Sequence, residues 1–252
     1  MPSAFEIALL GALGLLVGSF LNVVVHRLPR GESLVHPRSR CPRCETQIAA
    51  YDNVPVVSWF VLRGRCRHCG AGISARYPVM EAVTGLTFAG VAAVRGVDDA
   101  LVLELPFAAL LIAVAAIDIE YRIVPNKLLL PAGIWAVAGW TAVDLDFVPE
   151  ALAAGAGAFT FLLLAALAYP AGMGMGDVKL AGAMGLYLGL AVIPALLVAF
   201  LAGSLVGVAI LLREGAQARK KGVPFAPFLA LGGLVGLLAG GELISLYADR
   251  FL

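Results

Sequence analysis

Long apolar stretches alternate with shorter polar ones along the chain. The pattern predicts helices at residues 5–25, 79–95, 100–117, 127–143, 150–170, 178–190, 192–212 and 226–247. About 20 apolar residues are enough for a helix to cross the hydrocarbon layer of a bilayer. These stretches also lack the polar face that a helix on the surface of a soluble core would need. We therefore predict an all-α polytopic membrane protein with about eight transmembrane helices.

The composition supports this interpretation. Hydrophobic residues make up 61% of the 252 residues and charged residues only 14%, whereas soluble domains carry about 25% charged residues. No Lys or Arg precedes the first stretch and no small-residue cleavage site follows it, so we predict a retained helix rather than a signal peptide. The net charge of +1 gives no indication of a nucleic-acid partner.

The basic residues predict how the helices are oriented. Four segments hold every Lys and Arg except Arg95 and Arg250, at residues 26–78, 118–127, 171–179 and 213–224. Because Lys and Arg are enriched in cytoplasmic loops, we expect these segments in the cytoplasm and the N-terminus outside. The last two segments must then be separated by an even number of crossings. Two short helices with a turn near residues 190–194 satisfy this requirement.

Four cysteines lie in the polar segment between the first two predicted helices, as two C-x-x-C pairs separated by 21 residues. They are Cys41, Cys44, Cys66 and Cys69. Four thiolates at this spacing are typical of a tetrahedral structural zinc site. Disulfides are the alternative, but the charge pattern places this segment in the reducing cytosol. We therefore predict a small zinc-ribbon-like insertion, with His68 on its surface because four cysteines already complete the ligand set.

Two aspartates stand at the predicted cytoplasmic ends of apolar stretches. Asp118 follows the third stretch, and Asp177 lies in the glycine-rich segment before the sixth. A carboxylate at membrane depth is costly and therefore indicates a function. Two nearby carboxylates can share one proton, so that one acts as a base toward water and the other as an acid toward a peptide carbonyl. We predict that Asp118 and Asp177 form a catalytic pair.

The surroundings of the two aspartates differ. The end of the third helix disfavours negative charge and the start of the sixth favours it, which predicts that Asp118 is the more protonated partner of the pair. Gly172, Gly174 and Gly176 precede Asp177 and permit an unwound backbone that approaches an extended substrate. We assign Gly174, Gly176 and Glu81 to the support of the substrate or of the backbone around it.

Purely structural roles for these polar residues stay open at this point. Both aspartates can instead cap helices or pair with lysines in the membrane interface. Glu120 lies further into its loop and is interpreted as solvated. Glu81 opens the second helix as a buried partner or a cap, and Asn22 and His26 lie at the end of the first helix. We expect each of these residues to be structural rather than catalytic.

Taken together, segments along nearly the whole chain resemble the type IV prepilin peptidase family. In order they are GSFLNVVVHRLP at 18–29, SRCPRC at 39–44, DNVP at 52–55, SWF at 58–60, LRGRC at 62–66, ISARYP at 73–78, Glu81, Asp118 with VPN at 124–126, GMGD at 174–177 and PFAPF at 224–228. The order and spacing of these segments are specific to that family. One departure is Ala226, where the family usually has glycine.

The resemblance implies a bifunctional enzyme of the bacterial cytoplasmic membrane. Such enzymes remove the short basic leader of prepilins and of type II secretion pseudopilins, usually after a glycine. They then N-methylate the new terminal residue, typically phenylalanine, with S-adenosylmethionine. The peptidase aspartates of the family correspond to Asp118 and Asp177, which assigns the peptidase region to residues 91–252. The methyltransferase region, including the cysteine loop, corresponds to residues 1–90.

Three other functions remain as alternatives. The chain could be a peptidase without methyltransferase activity, since it lacks a glycine-rich signature for S-adenosylmethionine. It could be a non-enzymatic scaffold whose zinc module docks cytosolic proteins, although a G-x-G-D segment with a second aspartate favours a peptidase. A transporter with cation-binding aspartates is the third, and the lack of inverted repeats argues against it. The expected partners are prepilin or pseudopilin substrates and membrane lipid, without nucleic acid.

Overall fold

The computed structural model describes residues 2–169, 172–214 and 223–251, which are nearly all helical. In chain order the helices are α1 (Ala4–Arg27), α2 (Val57–Val61), α3 (Arg76–Arg95), α4 (Leu101–Tyr121), α5 (Asn126–Val143), α6 (Val148–Ala168), α7 (Met175–Leu188), α8 (Val192–Glu214) and α9 (Ala226–Phe251). All except the short α2 begin and end within a few residues of the predicted stretches. The predicted all-α class is confirmed.

The number of membrane-spanning segments differs from the predicted eight. Within the described residues, six segments are long and apolar enough to cross a bilayer: Ala4–Arg30, Arg76–Arg95, Leu101–Tyr121, Leu145–Ala168, Met175–Arg213 and Ala226–Arg250. α5 is not among them, because its 18 residues include the polar Asn126 and Lys127 at the start. α7 and α8 fall within one segment, broken by a 3₁₀ turn at Gly189–Ala191, close to the predicted turn. With 14 residues, α7 is only about 21 Å long, less than the hydrocarbon thickness of about 30 Å.

Local sequence signals define both ends of α1. The Ser3 hydroxyl accepts the N–H of Glu6, and the Glu6 carboxylate accepts the N–H of Ser3, which together satisfy two amides at the helix start. The helix ends before Pro29, which cannot continue an α-helical hydrogen-bond ladder. A short 3₁₀ turn follows and closes at Gly31, whose φ of 71° suits glycine.

The chain divides into two compact units, Met1–Val97 and Asp98–Leu252. In the first unit, α1 and α3 pack against each other along their length. A Cβ atom at Gly14 would lie 2.7 Å from the carbonyl oxygen of Thr84, so the close approach of the two backbones requires glycine here. Small residues at helix contacts are usual in membranes, where packing rather than the hydrophobic effect drives association.

In the second unit, α4 forms the centre. Its side chains are buried over most of its length, and it contacts α5, α7 and α9. The ring of Phe107 on α4 stacks on that of Tyr187 on α7, with the ring centroids 4.5 Å apart. The Tyr187 hydroxyl in turn donates a hydrogen bond of 2.8 Å to the carbonyl oxygen of Ala132 on α5. These contacts hold α4 and α7 side by side, which determines where their ends meet.

Large apolar side chains are exposed on the outer faces of both units. Examples are Phe5, Leu86, Leu164, Leu205 and Leu212. In water, such faces would form extended apolar patches of a kind that soluble monomers rarely expose. In a bilayer, they contact lipid chains of the same polarity. The exposed faces therefore agree with a polytopic membrane protein.

Candidate functional site

Asp118 lies in the last turn of α4. The helix ends at this point because Arg122 adopts a left-handed conformation, with a φ of 55°. The Asp118 side chain is only 6% exposed. Its Oδ2 accepts a hydrogen bond of 3.1 Å from the backbone N–H of Ala226, the first residue of α9. The N-terminal end of α9 therefore meets the Asp118 carboxylate.

Asp177 lies in the first turn of α7 and is 9% exposed. Because α4 and α7 contact each other, the two carboxylates are close enough for their charges to interact. The structure thus brings together two aspartates from distant parts of the chain. A helix N-terminus lies at each of them, that of α7 at Asp177 and that of α9 at Asp118. Asp118 thus lies at the C-terminal end of α4 and at the N-terminal end of α9, and the dipoles of these two helices act on its charge in opposite directions.

α7 begins earlier than predicted, which changes the role of the glycines before Asp177. The helix starts at Met175 with Gly174 as its N-cap, so Gly176 is helical, and the prediction of an unwound backbone there is wrong. The structural reason for Gly176 is its close approach to Val124, because a Cβ atom would lie 2.7 Å from the Val124 Cβ. At Gly174 a Cβ atom would lie 3.6 Å from the Asp177 Oδ2, so glycine leaves that side of the carboxylate open.

A second contact connects α7 to the segment after α4. The Lys179 Nζ donates a hydrogen bond of 3.0 Å to the Asn126 Oδ1. Together with the approach of Gly176 to Val124, this bond holds the start of α7 against residues 124–126. The sequence interpretation counted Lys179 only among the basic residues that predict orientation. Two sequence features could have indicated this contact: a lysine two residues after Asp177, and the polar Asn126 in the VPN motif.

The four predicted cysteine ligands also converge, within the first unit. The Sγ atoms of Cys41, Cys44, Cys66 and Cys69 all lie within 4.8 Å of one another, and no disulfide joins them. The Cys41–Cys69 and Cys44–Cys66 sulfur distances are 3.7 and 4.0 Å. A tetrahedral ion with metal–sulfur bonds of about 2.3 Å places its sulfur ligands about 3.8 Å apart. The cluster therefore has the geometry of a metal-binding site.

The two C-x-x-C pairs share one backbone conformation. The N–H of Glu45 donates to the carbonyl oxygen of Cys41, and the N–H of Gly70 donates to that of Cys66. Both donors adopt the left-handed conformation, with φ of 56° at Glu45 and 68° at Gly70. An antiparallel β-bridge closes each pair, Arg40 with Gln47 and Arg65 with Gly72. This repeated turn directs the two sulfurs of each pair toward the same point.

The surroundings of the cysteines shift the pKa values of their thiols in different directions. Bonds from the side chain and backbone of Thr46 lower the pKa of the Cys44 thiol to about 6. Bonds from the backbone of Cys69 and His68 likewise lower the pKa of Cys66. Burial and hydrogen bonds with the other three cysteines raise the pKa of the Cys69 thiol to about 11. The thiolate is the form that binds metal ions, so Cys69 has to lose its proton when an ion binds. His68 itself is exposed, as predicted.

An ion pair supports the cysteine loop. Arg67, between the two cysteines of the second pair, donates from Nε to the Asp52 Oδ2 at 2.9 Å and from a terminal nitrogen to Oδ1 at 2.5 Å. This two-pronged bond lowers the pKa of Asp52 and raises that of Arg67. An exposed pair contributes little stability, but its paired geometry fixes the second C-x-x-C turn relative to the residues before α2.

The other candidate carboxylates have different surroundings. Glu81 on α3 is buried, and its Oε2 accepts a hydrogen bond of 2.7 Å from the backbone N–H of Val56. It is therefore a buried partner of the loop rather than a cap of its helix. Glu120 is exposed, in agreement with its interpretation as a solvated residue.

These features define a class of protein. A polytopic helical protein with two buried aspartates meeting at helix ends has the arrangement of a membrane aspartyl peptidase, and this one also carries a separate four-cysteine loop. Comparison with known proteins gives the family. Residues 12–94 match the Bacterial Peptidase A24 N-terminal domain, and residues 105–212 match the Type IV leader peptidase family.

Relatives agree with this family over most of their length. The chain is 36% identical to the prepilin leader peptidase/N-methyltransferase of Burkholderia pseudomallei (strain 1026b), covering 95% of this chain and 87% of the relative. It is 39% identical to that of Myxococcus xanthus (strain DK1622), over 81% of this chain and 62% of the relative. It is 34% identical to that of Bacillus subtilis (strain 168), over 98% of this chain and 99% of the relative. No solved structure matches the chain.

The chain belongs to the type IV leader peptidase family, and the resemblance found in its sequence is confirmed. It is accordingly an enzyme, and its apolar helices make it a multi-pass protein of the inner membrane.

Proposed function

We propose that this chain removes the basic leader peptide of prepilins or pseudopilins with Asp118 and Asp177, and methylates the N-terminal amine that cleavage exposes. The observation that carries the peptidase assignment is the meeting of these two buried carboxylates within a chain of the type IV leader peptidase family. The names of its relatives support both activities and prepilins as the substrates.

The aspartate pair can perform hydrolysis with one shared proton. Two carboxylates held close together do not both ionise easily, so one is protonated while the other is charged. The charged partner takes a proton from a water molecule as the water oxygen attacks the scissile carbonyl carbon. The protonated partner gives its proton to the carbonyl oxygen. The pair then returns a proton to the departing amine. Because the two carboxylates interact, they titrate as a unit rather than as two separate groups.

The position of the pair suits a prepilin. Asp118 and Asp177 lie at the ends of α4 and α7, next to segments that hold basic residues. Because basic segments favour the cytoplasm, these helix ends lie at the cytoplasmic face of the membrane, together with the cysteine loop. A prepilin places a basic leader in the cytosol and an apolar helix in the bilayer. Cleavage between the two needs a catalytic pair at this boundary.

The two activities belong to different regions of the chain. Residues 91–252 hold both aspartates and form the peptidase region, whereas residues 1–90 hold the cysteine loop and form the methyltransferase region. The four-cysteine cluster binds structural Zn²⁺, because an all-thiolate tetrahedral set suits that ion and leaves no open position for chemistry. S-adenosylmethionine supplies the methyl group.

Mass spectrometry of a processed substrate tests this function directly. Purified protein incubated with a prepilin and S-adenosylmethionine should yield a mature pilin that lacks its leader and carries one methyl group on its new N-terminal nitrogen. Without S-adenosylmethionine, cleavage should proceed and methylation should not. If the prepilin is cleaved in the presence of the methyl donor but no methylated product forms, the protein is a peptidase without methyltransferase activity. A prepilin that stays intact would contradict the peptidase assignment.

Gly176→Ala tests the contact that positions Asp177. The added methyl group would overlap the Val124 side chain, since its Cβ would lie 2.7 Å from the Val124 Cβ. We expect the start of α7 to shift and leader cleavage to slow by about ten- to a hundredfold, since small displacements of catalytic groups have effects of this size. Gly157→Ala on α6 is the matched control, because its Cβ would meet nothing within 4 Å. Equal cleavage rates for the two variants would rule out this positioning role.

A further inference from the structure

A cavity of about 730 Å³ lies in the first unit, between the helices and the cysteine loop. Its lining includes Asn22 and His26 of α1, Tyr77 and Glu81 of α3, Trp59 of α2, and the metal ligand Cys41. The volume falls within the range of small-molecule sites, which is about 300–1,000 Å³. It holds neither Asp118 nor Asp177, so the peptidase chemistry proposed above does not use it.

Asn22 contributes an unpaired acceptor to this cavity. The residue is 3% exposed. Its Nδ2 donates hydrogen bonds to the carbonyl oxygens of Gly18 at 3.3 Å and of Tyr77 at 3.2 Å. Its Oδ1 is buried and has no hydrogen-bond partner among the described residues. A buried amide oxygen without a donor costs about 1–3 kcal/mol, so we expect a ligand or an ordered water molecule to supply the donor here.

Glu81 contributes a buried carboxyl group to the same cavity. The residue is 8% exposed, and within the described part of the chain it forms no ion pair. Its Oε2 accepts the N–H of Val56, whose φ of 62° is unusual for a β-branched residue. This hydrogen bond accounts for only one of the acceptor positions of the carboxylate. Backbone strain of this kind is more common at functional sites than elsewhere.

From this arrangement we propose that Asn22 and Glu81 bind the free N-terminal amine of the cleaved substrate, and so define where methyl transfer takes place. The proposal rests on the methyltransferase half of the proposed function. A primary ammonium offers three donors and one positive charge, which complement an amide oxygen and a carboxylate. The methyl donor also carries an α-ammonium group, so the chemistry has two possible sources, and we assign it to the peptide.

The same residues can prepare the amine for transfer. Glu81 takes one proton from the ammonium, which frees the nitrogen lone pair. The lone pair attacks the methyl carbon of the sulfonium donor, and the carbon–sulfur bond breaks with its electron pair going to sulfur. The products are S-adenosylhomocysteine, a thioether without the positive charge, and a methylated ammonium that remains opposite the protonated Glu81 until both exchange with water. Asn22 orients the nitrogen through its Oδ1, and the volume beyond these residues accommodates the donor.

Peptide binding to the full-length protein in detergent tests the proposal apart from turnover. The probe is a short peptide that begins with phenylalanine and carries a C-terminal fluorophore, with its N-terminus either free or acetylated. Glu81→Gln keeps an oxygen for the Val56 N–H but removes the charge. We expect this variant to bind the free-amine peptide about tenfold more weakly than the wild type, which corresponds to about 1.4 kcal/mol. The acetylated peptide should bind both proteins equally.

Three further measurements distinguish the outcomes. Glu32→Gln is the matched control, because Glu32 also lines the cavity but is exposed, and it should bind the free-amine peptide as the wild type does. S-adenosylhomocysteine should bind Glu81→Gln and the wild type equally. Asn22→Leu should weaken binding of the free-amine peptide while leader cleavage continues.

The proposal is overturned if Glu81→Gln binds the free-amine peptide as tightly as the wild type does. It is overturned as well if the affinity of this variant for the acetylated peptide falls to the same degree as its affinity for the free-amine peptide. A third contradicting result is that the variant binds S-adenosylhomocysteine more weakly but the peptide normally, because Glu81 would then bind the ammonium of the methyl donor. A wild-type protein that binds the free amine selectively yet methylates nothing would contradict the methyltransferase function while leaving amine binding in place.

Discussion

Asp118→Asn and Asp177→Asn will each abolish leader cleavage while the protein still folds and inserts into the membrane. Asparagine has nearly the shape of aspartate, and at position 118 its side-chain oxygen can still accept the N–H of Ala226. It cannot exchange the proton that the pair must share, so neither activation of water nor protonation of the carbonyl oxygen can occur. We expect cleavage of a prepilin, followed by gel shift and mass spectrometry, to fall by at least about a thousandfold.

Controls separate chemistry from folding in this experiment. Glu120→Gln changes an exposed carboxylate two residues from Asp118 and should cleave at the wild-type rate. Both aspartate variants should still methylate a mature peptide that already begins with phenylalanine, because methyl transfer needs no aspartate pair. Normal cleavage by either variant would contradict the catalytic pair. If Asp177→Asn lost methylation of the mature peptide as completely as cleavage, a shared site or a folding defect would explain the result better.

The positions of the long helices were predictable because they depend on local composition. Apolar runs long enough to span a bilayer must satisfy their backbone hydrogen bonds internally, which makes helix the required conformation. The break between α7 and α8 was found from the charge of the flanking segments. The start of α7 was misplaced because glycine lowers helix propensity, whereas Gly176 is in the helix and a larger residue there would collide with Val124. The short α2 carries no comparable signal, since its five residues lie in an otherwise polar segment.

The residue types that come together were predictable from the sequence, and the contacts that hold them in place were not. The residue types and spacing of the four cysteines were enough to predict a metal cluster, because C-x-x-C pairs place two sulfurs together by local geometry alone. Asp118 and Asp177 stood out as acidic residues at the ends of apolar stretches. The Ala226 N–H on Asp118, the bond from Lys179 to Asn126 and the unpaired oxygen of Asn22 all depend on how distant segments pack. No pattern within a single segment contains that information.

Loss of the metal cluster is expected to have the second large effect. The purified protein should contain one zinc ion per chain, and Cys41→Ser should lose it. Structural zinc contributes about 10–16 kcal/mol of apparent binding free energy in small zinc modules, and most of it is folding free energy. The cysteine loop has few large buried side chains to hold it otherwise: between Val25 and Met80, the described part of the chain buries no Val, Ile, Leu, Met or aromatic side chain. We therefore expect the loop to unfold and become sensitive to proteases, while α4–α9 remain intact.

This unfolding should affect the two activities unequally. Cys41 and Cys66 line the cavity that holds Asn22 and Glu81, so an unfolded loop removes one wall of the proposed methylation site. Methylation should therefore fall more than cleavage, whose aspartates lie in the other compact unit. His68→Ala is the matched control for zinc and cleavage, because His68 lies between Cys66 and Cys69 but is exposed, and this variant should keep its zinc and its leader cleavage. Elemental analysis, limited proteolysis and the two assays measure these effects. A wild-type protein without zinc, with all four thiols freely alkylated, would show that the cluster is not a structural zinc site.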